Sequence, residues 1–477
     1  MNRGEKLVKN TIILAFGTIL PRLTSLITLP ILTACLTKEE YGLYDLFTIL
    51  VSLVLPVVTL QIQAGAFRFL IDVRNDINRI KTIISSIFAF ILLVSIVTLI
   101  FLFNFLPGEA LIRVLICNYF LVDILLQGAK QIVRGLEKNL DFSLTAVITA
   151  VSWMVFVAIF VLYLKKSILG VVISLLLSAV VSFIFLVVKT RLYAYINWTL
   201  VKWHEIRNLL EYSWPLVPNG MAMWAMGMSD RLIVTMTMGL AANAVYAVAN
   251  KIPSIITLAQ RTFSMAWQEN ASIVRKDADN IEVYYSEMFK NIFDFSAGLL
   301  GLILCAIPLL FLLLVRGDYA KAYPHMPILL IALFFYIQCT YLGGIYVAYK
   351  KTKNVGITTT IAAIIKTLIC LTTINWLGLY AASGSSLISF FILLIYRMID
   401  IRNFVKIKYD LNHMFVVIGI LIVEAVLFFA QSTVLNIVNV CVALIVFYLL
   451  NKSVIKMVLE KLLDFIKRKK DSDNPIV

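Results

Sequence analysis

Fourteen apolar runs, each near the 20 residues or so that a helix needs to cross a bilayer core, follow one another with short polar connections between them. They fall near 11–33, 44–66, 83–106, 111–129, 142–164, 168–188, 209–238, 243–265, 291–315, 326–348, 355–376, 378–397, 413–431 and 433–450. Inside lipid every backbone polar group must be satisfied within the protein, which leaves helices and closed barrels, and runs of this length fit helices. The pattern predicts an all-α polytopic membrane protein of about 14 transmembrane helices. Composition agrees, since 61% of the 477 residues are hydrophobic and 14% charged, against about 25% charged in a soluble domain.

The net charge of +15 does not point to nucleic acid, because the basic residues sit in loops and form no patch interleaved with exposed aromatics. It sets orientation instead. With the N-terminus in the cytoplasm, KQIVRGLEKNLD, YKKTKNVG and the 189–207 connection lie inside, while MGLAAN, NWLG and QSTV lie outside. Both termini are therefore expected in the cytoplasm. The first apolar run already has spanning length and no small-residue cleavage site after it, so no cleavable signal is expected. The six cysteines are scattered without a CxxC, and His204, His325 and His413 lie far apart. No metal site, cofactor site or His-based catalytic centre is visible in that pattern, and the outer loops are too short for a soluble catalytic domain. The tail beyond Asn451, KSVIKMVLEKLLDFIKRKK, is either an amphipathic helix on an anionic leaflet or a plain basic anchor.

A weak internal repeat organises the spans. LPILTACLTKEEYGLYDLFT matches LIVTMTMGLAANAVYAVANKIP and aligns Tyr44 with Tyr246; LEKNLDFSLT matches KTKNVGITTT and aligns Lys138 with Lys353. Six spans separate the equivalents. Two six-helix bundles, 1–205 and 206–410, are therefore expected, related by a parallel pseudo-two-fold axis along the membrane normal, with two extra spans at 411–451 and a basic tail at 452–477.

Charge inside these runs is the main functional signal, because a central Arg, Lys or Asp costs roughly 2.5–3.5 kcal/mol to insert unless it meets a partner or a wet cavity. Asp230, Arg231, Lys251 and Arg261 lie in or beside the seventh and eighth spans, Arg22 at the middle of the first and Lys366 at the middle of the eleventh. Tyr246, Asn250, Pro253, Thr257, Arg261, Ser264 and Gln268 recur at three- and four-residue steps, which predicts one polar face along a single helix. Asn219, Met223, Met226 and Asp230 repeat that spacing on the preceding span. Small and hydroxyl residues in such stripes also serve plain helix packing, the better reading for Thr257 or Ser264 alone. For Arg22, Arg261 and Lys366, with no carboxylate within a helical turn in sequence, a cationic lumen is expected. Asp123 with Gln127, Asp230, and Glu424 are the carboxylates for ion coupling, with structural pairing an equal alternative for Asp123 and Glu424.

PRLTSLITLPILTACLTKEEYGLYD, SWPLVPN followed by SDR, VYAVANKIPSIITL and AWQEN together resemble the Wzx-type polysaccharide flippases, in the superfamily that also holds multidrug exporters and the lipid II flippase. The resemblance spans the first twelve predicted helices and is densest from 209 to 270. It implies a bacterial cytoplasmic membrane protein that carries a polyprenyl-pyrophosphate-linked oligosaccharide by alternating access, with coupling to protons or Na⁺. It implies membrane lipids as surroundings and a polysaccharide polymerase and glycosyltransferases as partners. Arg22, Arg231, Lys251, Arg261 and Lys366 would then serve the pyrophosphate, and Asn219, Asn250, Thr257 and Gln268 the sugar hydroxyls. The alternatives are a multidrug/cation antiporter of the same architecture, disfavoured by a lumen richer in bases than acids, and a membrane polymerase or glycosyltransferase, disfavoured by the short outer loops.

Overall fold

The computed structural model describes residues 23–277, 280–429 and 433–472, together with Gly17, Leu20 and Pro21. Every regular element among them is helical. In chain order they are α1 (Leu23–Cys35), α2 (Lys38–Val58), α3 (Ile62–Asp72), α4 (Ile77–Phe105), α5 (Ala110–Gly135), α6 (Asn139–Val157), α7 (Ser167–Thr190), α8 (Trp203–Ser213) and α9 (Val217–Met238). They continue as α10 (Leu240–Ala249), α11 (Lys251–Asp277), α12 (Ile281–Leu314), α13 (His325–Ala348), α14 (Thr352–Leu377), α15 (Leu379–Asp400), α16 (Leu411–Phe429) and α17 (Thr433–Ser472). Eleven helices among the described residues are long and apolar enough to cross a membrane. Without a spanning helix among the described residues are the seventh and eighth expected spans, which are broken, and the first, of which 11–16, 18, 19 and 22 lie outside the described residues.

Three of the expected spans are broken, each at an identifiable residue. The second, expected over 44–66, ends at Val58 just after Pro56; Leu60 and Gln61 then take left-handed conformations (φ 46° and 58°) before α3 begins. The seventh, expected over 209–238, divides at Trp214–Leu216, where Pro215 and Pro218 interrupt the backbone ladder. The eighth divides at Asn250, since Pro253 has no N–H to give the Ala249 carbonyl. The polar stripe from Tyr246 to Gln268 thus belongs to two helices, Tyr246 on α10 and the residues from Pro253 onward on α11. In contrast, α17 runs on into the basic tail as one helix of 40 residues, as far as Ser472.

The chain forms two compact units. The first comprises Met1–Thr262, Leu313–Tyr323 and Gly356–Ser385. Its main core gathers Ile83, Ile87, Phe120, Ile124, Ile132 and Leu186 from α4, α5 and α7. α2 opens on a capping box, in which Thr37 Oγ1 accepts the Glu40 N–H and the Glu40 carboxylate accepts the Thr37 N–H. Gly42 lets α2 pass against α10 so closely that a Cβ there would collide with the Leu240 carbonyl. Gly239, at φ 86°, makes the turn from α9 into α10.

The second unit comprises Phe263–Leu312, Pro324–Val355 and Ser386–Val477. Its core is aromatic. Trp267, from the AWQEN motif, stacks on Tyr341 at 4.6 Å and donates its indole N–H to the Tyr341 carbonyl, while Tyr341 Oη donates to the Tyr285 carbonyl. Arg397, buried in this unit, donates to the Cys339 carbonyl at 2.6 Å. On α4, Leu93, Val97, Ile100 and Phe101 stand exposed in a contiguous apolar stripe, as expected of a surface facing lipid.

Candidate functional site

Within the first unit, α2, α9, α10 and α14 converge on four charged side chains. Arg231 Nη1 lies 3.1 Å from Asp45 Oδ1, and Lys366 Nζ lies 3.1 Å from Asp230 Oδ2. Neutral donors complete the carboxylates: Tyr246 Oη donates to Asp230 Oδ2 at 2.6 Å, and Asn243 Nδ2 donates to Asp45 Oδ2 at 3.1 Å. Lys366 also donates to the Met226 carbonyl at 2.7 Å. Asp45 and Asp230 are each 3% exposed and Lys366 2%. Such a set is viable in a low dielectric because each charge has an ionic partner, and Asp45, Asp230 and Lys366 each have a further hydrogen bond; removing one partner of a buried pair costs roughly 3–5 kcal/mol.

Lys366, read from the sequence as a cation of the lumen with no carboxylate within a helical turn, meets one across helices. Its partner, Asp230, comes from another helix, and the pair Asp45–Arg231 joins residues 186 apart in sequence, a proximity no local spacing reveals. Tyr44 and Tyr246, aligned by the repeat, do different work: Tyr44 stacks on Trp153 at 5.9 Å whereas Tyr246 holds Asp230.

The remaining expected site residues are dispersed. Arg22 lies outside the described residues, as does the side chain of Arg261, though α11 passes through that position. Lys251 is half-buried at the start of α11, and Asn219 is exposed. Asn250 donates to the Tyr246 carbonyl and Thr257 to the Pro253 carbonyl, both within the helical path. Gln268, in the second unit, donates to Ser264 Oγ at 3.3 Å. Glu424, also in the second unit, is 1% exposed and neither carboxyl oxygen has a hydrogen-bond partner among the described residues. It occupies the space left by the missing side chain of Gly301. Asp123 accepts from Gln127 Nε2 at 3.1 Å.

Asp123 opens onto a feature that the pattern of apolar runs does not reveal, a cavity of about 660 Å³ bounded by α2, α3 and α5. The break between α2 and α3 brings Gln61 and Gln63 into its wall, and α5 contributes Asp123, Gln127, Gln131 and Arg134. The steps of four, four and three from Asp123 to Arg134 put these on one helical face, the signal that would have found Gln131 and Arg134 from sequence. The Arg134 guanidinium lies 4.5 Å from the centre of the Phe67 ring. Among the described residues there is no cluster of three or more His, Cys, Asp or Glu able to hold a metal ion.

A family model described as polysaccharide biosynthesis protein matches residues 7–268. No curated protein matches. Among solved structures, an inward-facing multidrug resistance MATE family transporter of the MOP superfamily superposes with a TM-score of 0.65 at 14% identity, over 83% of this chain and 95% of that one. The lipid II flippase MurJ, in an inward closed conformation, gives 0.65 at 14% identity over 95% of this chain and 100% of that one. A MOP superfamily transporter from Pyrococcus furiosus, described as having a binding pocket of reverse polarity, gives 0.56 at 16% identity, over 83% and 95% of the two chains. Identities this low speak for a shared fold, whereas the family model covers more than half of the chain. The protein is a multi-pass membrane protein that belongs to the polysaccharide biosynthesis protein family and has the fold of MOP superfamily transporters.

Proposed function

We propose that the protein flips a polyprenyl-pyrophosphate-linked oligosaccharide across the bacterial cytoplasmic membrane by alternating access, for assembly of a surface polysaccharide such as O-antigen or capsule. In this reading both termini are cytoplasmic, the halves 1–205 and 206–410 are the two moving bundles, and α16 and α17 guide the polyprenyl tail. Polymerase and glycosyltransferases act before and after it.

The observation that carries the reading is the latch of ion pairs between helices of the two sequence halves. Asp45 of α2 holds Arg231 of α9. Toward the side read as external, Lys38 Nζ meets Asp318 Oδ2 at 2.6 Å and the Arg316 N–H is donated to Thr33 Oγ1 at 3.0 Å. All these pairs lie in loops or spans that basic-residue asymmetry assigns to the outer half of the membrane. Closure at one end by contacts that exchange partners is what alternating access requires. A cargo pyrophosphate competes with Asp45 and Asp230 for Arg231 and Lys366, so its arrival weakens the latch. Arg22, Lys251 and Arg261 supply further cations along the path, and Asn219, Asn250, Thr257 and Gln268 supply polar contacts. Asp123, Asp230 and Glu424 are the carboxylates assigned to proton or Na⁺ coupling.

A cation antiporter is the second reading, and its cargo would find each described carboxylate of the latch already held by a base. The test is reconstitution into liposomes with a fluorescent polyprenyl-pyrophosphoryl oligosaccharide and an external quencher. Transbilayer movement of that lipid supports the proposal, whereas no movement together with accumulation of a cationic dye refutes it.

A further inference from the structure

We infer that the cavity between α2, α3 and α5 is the cargo's loading site, where Arg134 takes the pyrophosphate and Gln63, Gln127 and Gln131 take the first sugar. The inference rests on the flippase reading and gives it a place in the first unit, distinct from the latch.

Arg134, half-buried in the cavity wall, differs from the cations of the charged cluster in this unit. Arg231 and Lys366 are each paired with a carboxylate, while no ion pair among the described residues joins Arg134 to one. Its guanidinium is held against Phe67 instead. Stacking fixes the plane of the guanidinium and leaves its edge donors for a bidentate contact with phosphate oxygens. Arg134 lies in the last turn of α5, at the end read as cytoplasmic, which is the depth of a lipid head group. Asp123 lies eleven residues deeper, about 16 Å along the helix. A pyrophosphate at Arg134 therefore leaves its polyprenyl chain in the inner leaflet and points its sugar along the face that carries Gln131 and Gln127.

The wall suits a sugar. Gln63 is 8% exposed, lines the cavity, and its Oε1 has no hydrogen-bond partner among the described residues. An unsatisfied buried acceptor costs about 1–3 kcal/mol, which a ligand O–H or N–H offsets. Amides donate and accept at once, as sugar hydroxyls and N-acetyl groups do. Gln127 spends one N–H on Asp123 and keeps its carbonyl. A volume of about 660 Å³ falls in the range of about 300–1,000 Å³ usual for small-ligand sites, enough for a sugar head group.

The experiment uses the full chain in nanodiscs and equilibrium binding of three probes. These are a polyprenyl pyrophosphate bearing one N-acetylhexosamine, the same lipid pyrophosphate without the sugar, and inorganic pyrophosphate. Arg134→Gln is expected to weaken both lipid probes about tenfold or more, the loss of one charge-assisted pair, and Arg134→Lys to restore part of it. Gln131→Ala is expected to weaken only the sugar-bearing probe, about threefold to tenfold, for one neutral hydrogen bond. Should Arg134→Gln fail to fold, Arg134→Lys and Gln131→Ala decide. Unchanged binding of both lipid probes by the variants overturns the inference while leaving the flippase reading intact, and inorganic pyrophosphate binding as tightly as the lipid also overturns it. A wild-type protein that binds neither lipid probe brings down the flippase reading itself.

Discussion

Lys366→Met is the sharpest perturbation of the buried charged cluster. It removes the cation 3.1 Å from Asp230 Oδ2 and leaves a carboxylate that is 3% exposed. Stranding a buried charge costs roughly 3–5 kcal/mol. Asp230 keeps its hydrogen bond from Tyr246 at 2.6 Å, which places the expected loss at the lower end, about 3 kcal/mol. Asp230→Asn strands Lys366 with only the Met226 carbonyl and is expected to cost at least as much. In the double variant both charges are gone, and the amide oxygen introduced by Asp230→Asn still accepts from Tyr246. The double variant is therefore expected to be no less stable than the weaker single variant, a coupling of about 3 kcal/mol. Equilibrium unfolding in mixed micelles, titrated with SDS, measures the four corners of this cycle. Single losses below about 1 kcal/mol that simply add would refute the argument that the pair is buried, closed and mutually required.

Gly42→Val is expected to prevent α2 from seating against α10, because its Cβ meets the Leu240 carbonyl; loss of folded protein in a detergent melting assay checks this. Lys38→Cys with Asp318→Cys, joined by a short bifunctional thiol reagent, should arrest lipid movement and release it when the bridge is reduced. Lys38 holds the Asp318 carboxyl below the usual carboxylate range, so this contact is present at neutral pH and is lost only as pH falls through that lowered value. A transport rate insensitive to Asp318→Asn would show that the contact is incidental. Arg22→Ala and Arg261→Ala should abolish surface glycan at unchanged protein level, with Arg22→Lys retaining part; full glycan in both Ala variants removes these residues from the path. Thiol labelling of single cysteines should find both 4 and 452 reachable only from the cytoplasm, and external labelling at 452 would mean an odd number of spans.

Much of the helical order is legible in the sequence because lipid imposes one strong rule, about 20 apolar residues per crossing. The runs behind α4, α5, α7 and α12 to α16 follow it directly. That rule reads one residue at a time and carries no information on which helices touch. Asp45 is an ordinary acid near the start of a span until α9 brings Arg231 to it from 186 positions away. Arg134 reads as part of a basic loop, since orientation rules count it as a charge and ignore the three-residue step that joins it to Gln131. Trp267 belongs to a motif of the flippase resemblance, and in the structure it anchors an aromatic core.

Two of the three broken spans point to a common cause. A helix interrupted within a membrane exposes carbonyls and N–H groups that lipid cannot satisfy, so breaks persist where protein or water can. The break at Leu60 and Gln61 borders the polar cavity, and the break at Asn250 sits one turn from Tyr246, which holds Asp230. Proline flanks both of these interruptions: Pro56 before the first, Pro253 after the second. Restoring helix there, as with Pro253→Ala, is therefore expected to fuse α10 with α11 and to rotate Tyr246 relative to Thr257. Fusion would draw Tyr246 away from Asp230 and loosen the Lys366 pair without removing a charge. Lipid movement should fall while protein level and melting temperature hold or rise, since the added backbone hydrogen bond is itself stabilising by about 0.5–1.5 kcal/mol. Unimpaired movement in Pro253→Ala would separate the break from the latch and leave Pro253 a residue of packing alone.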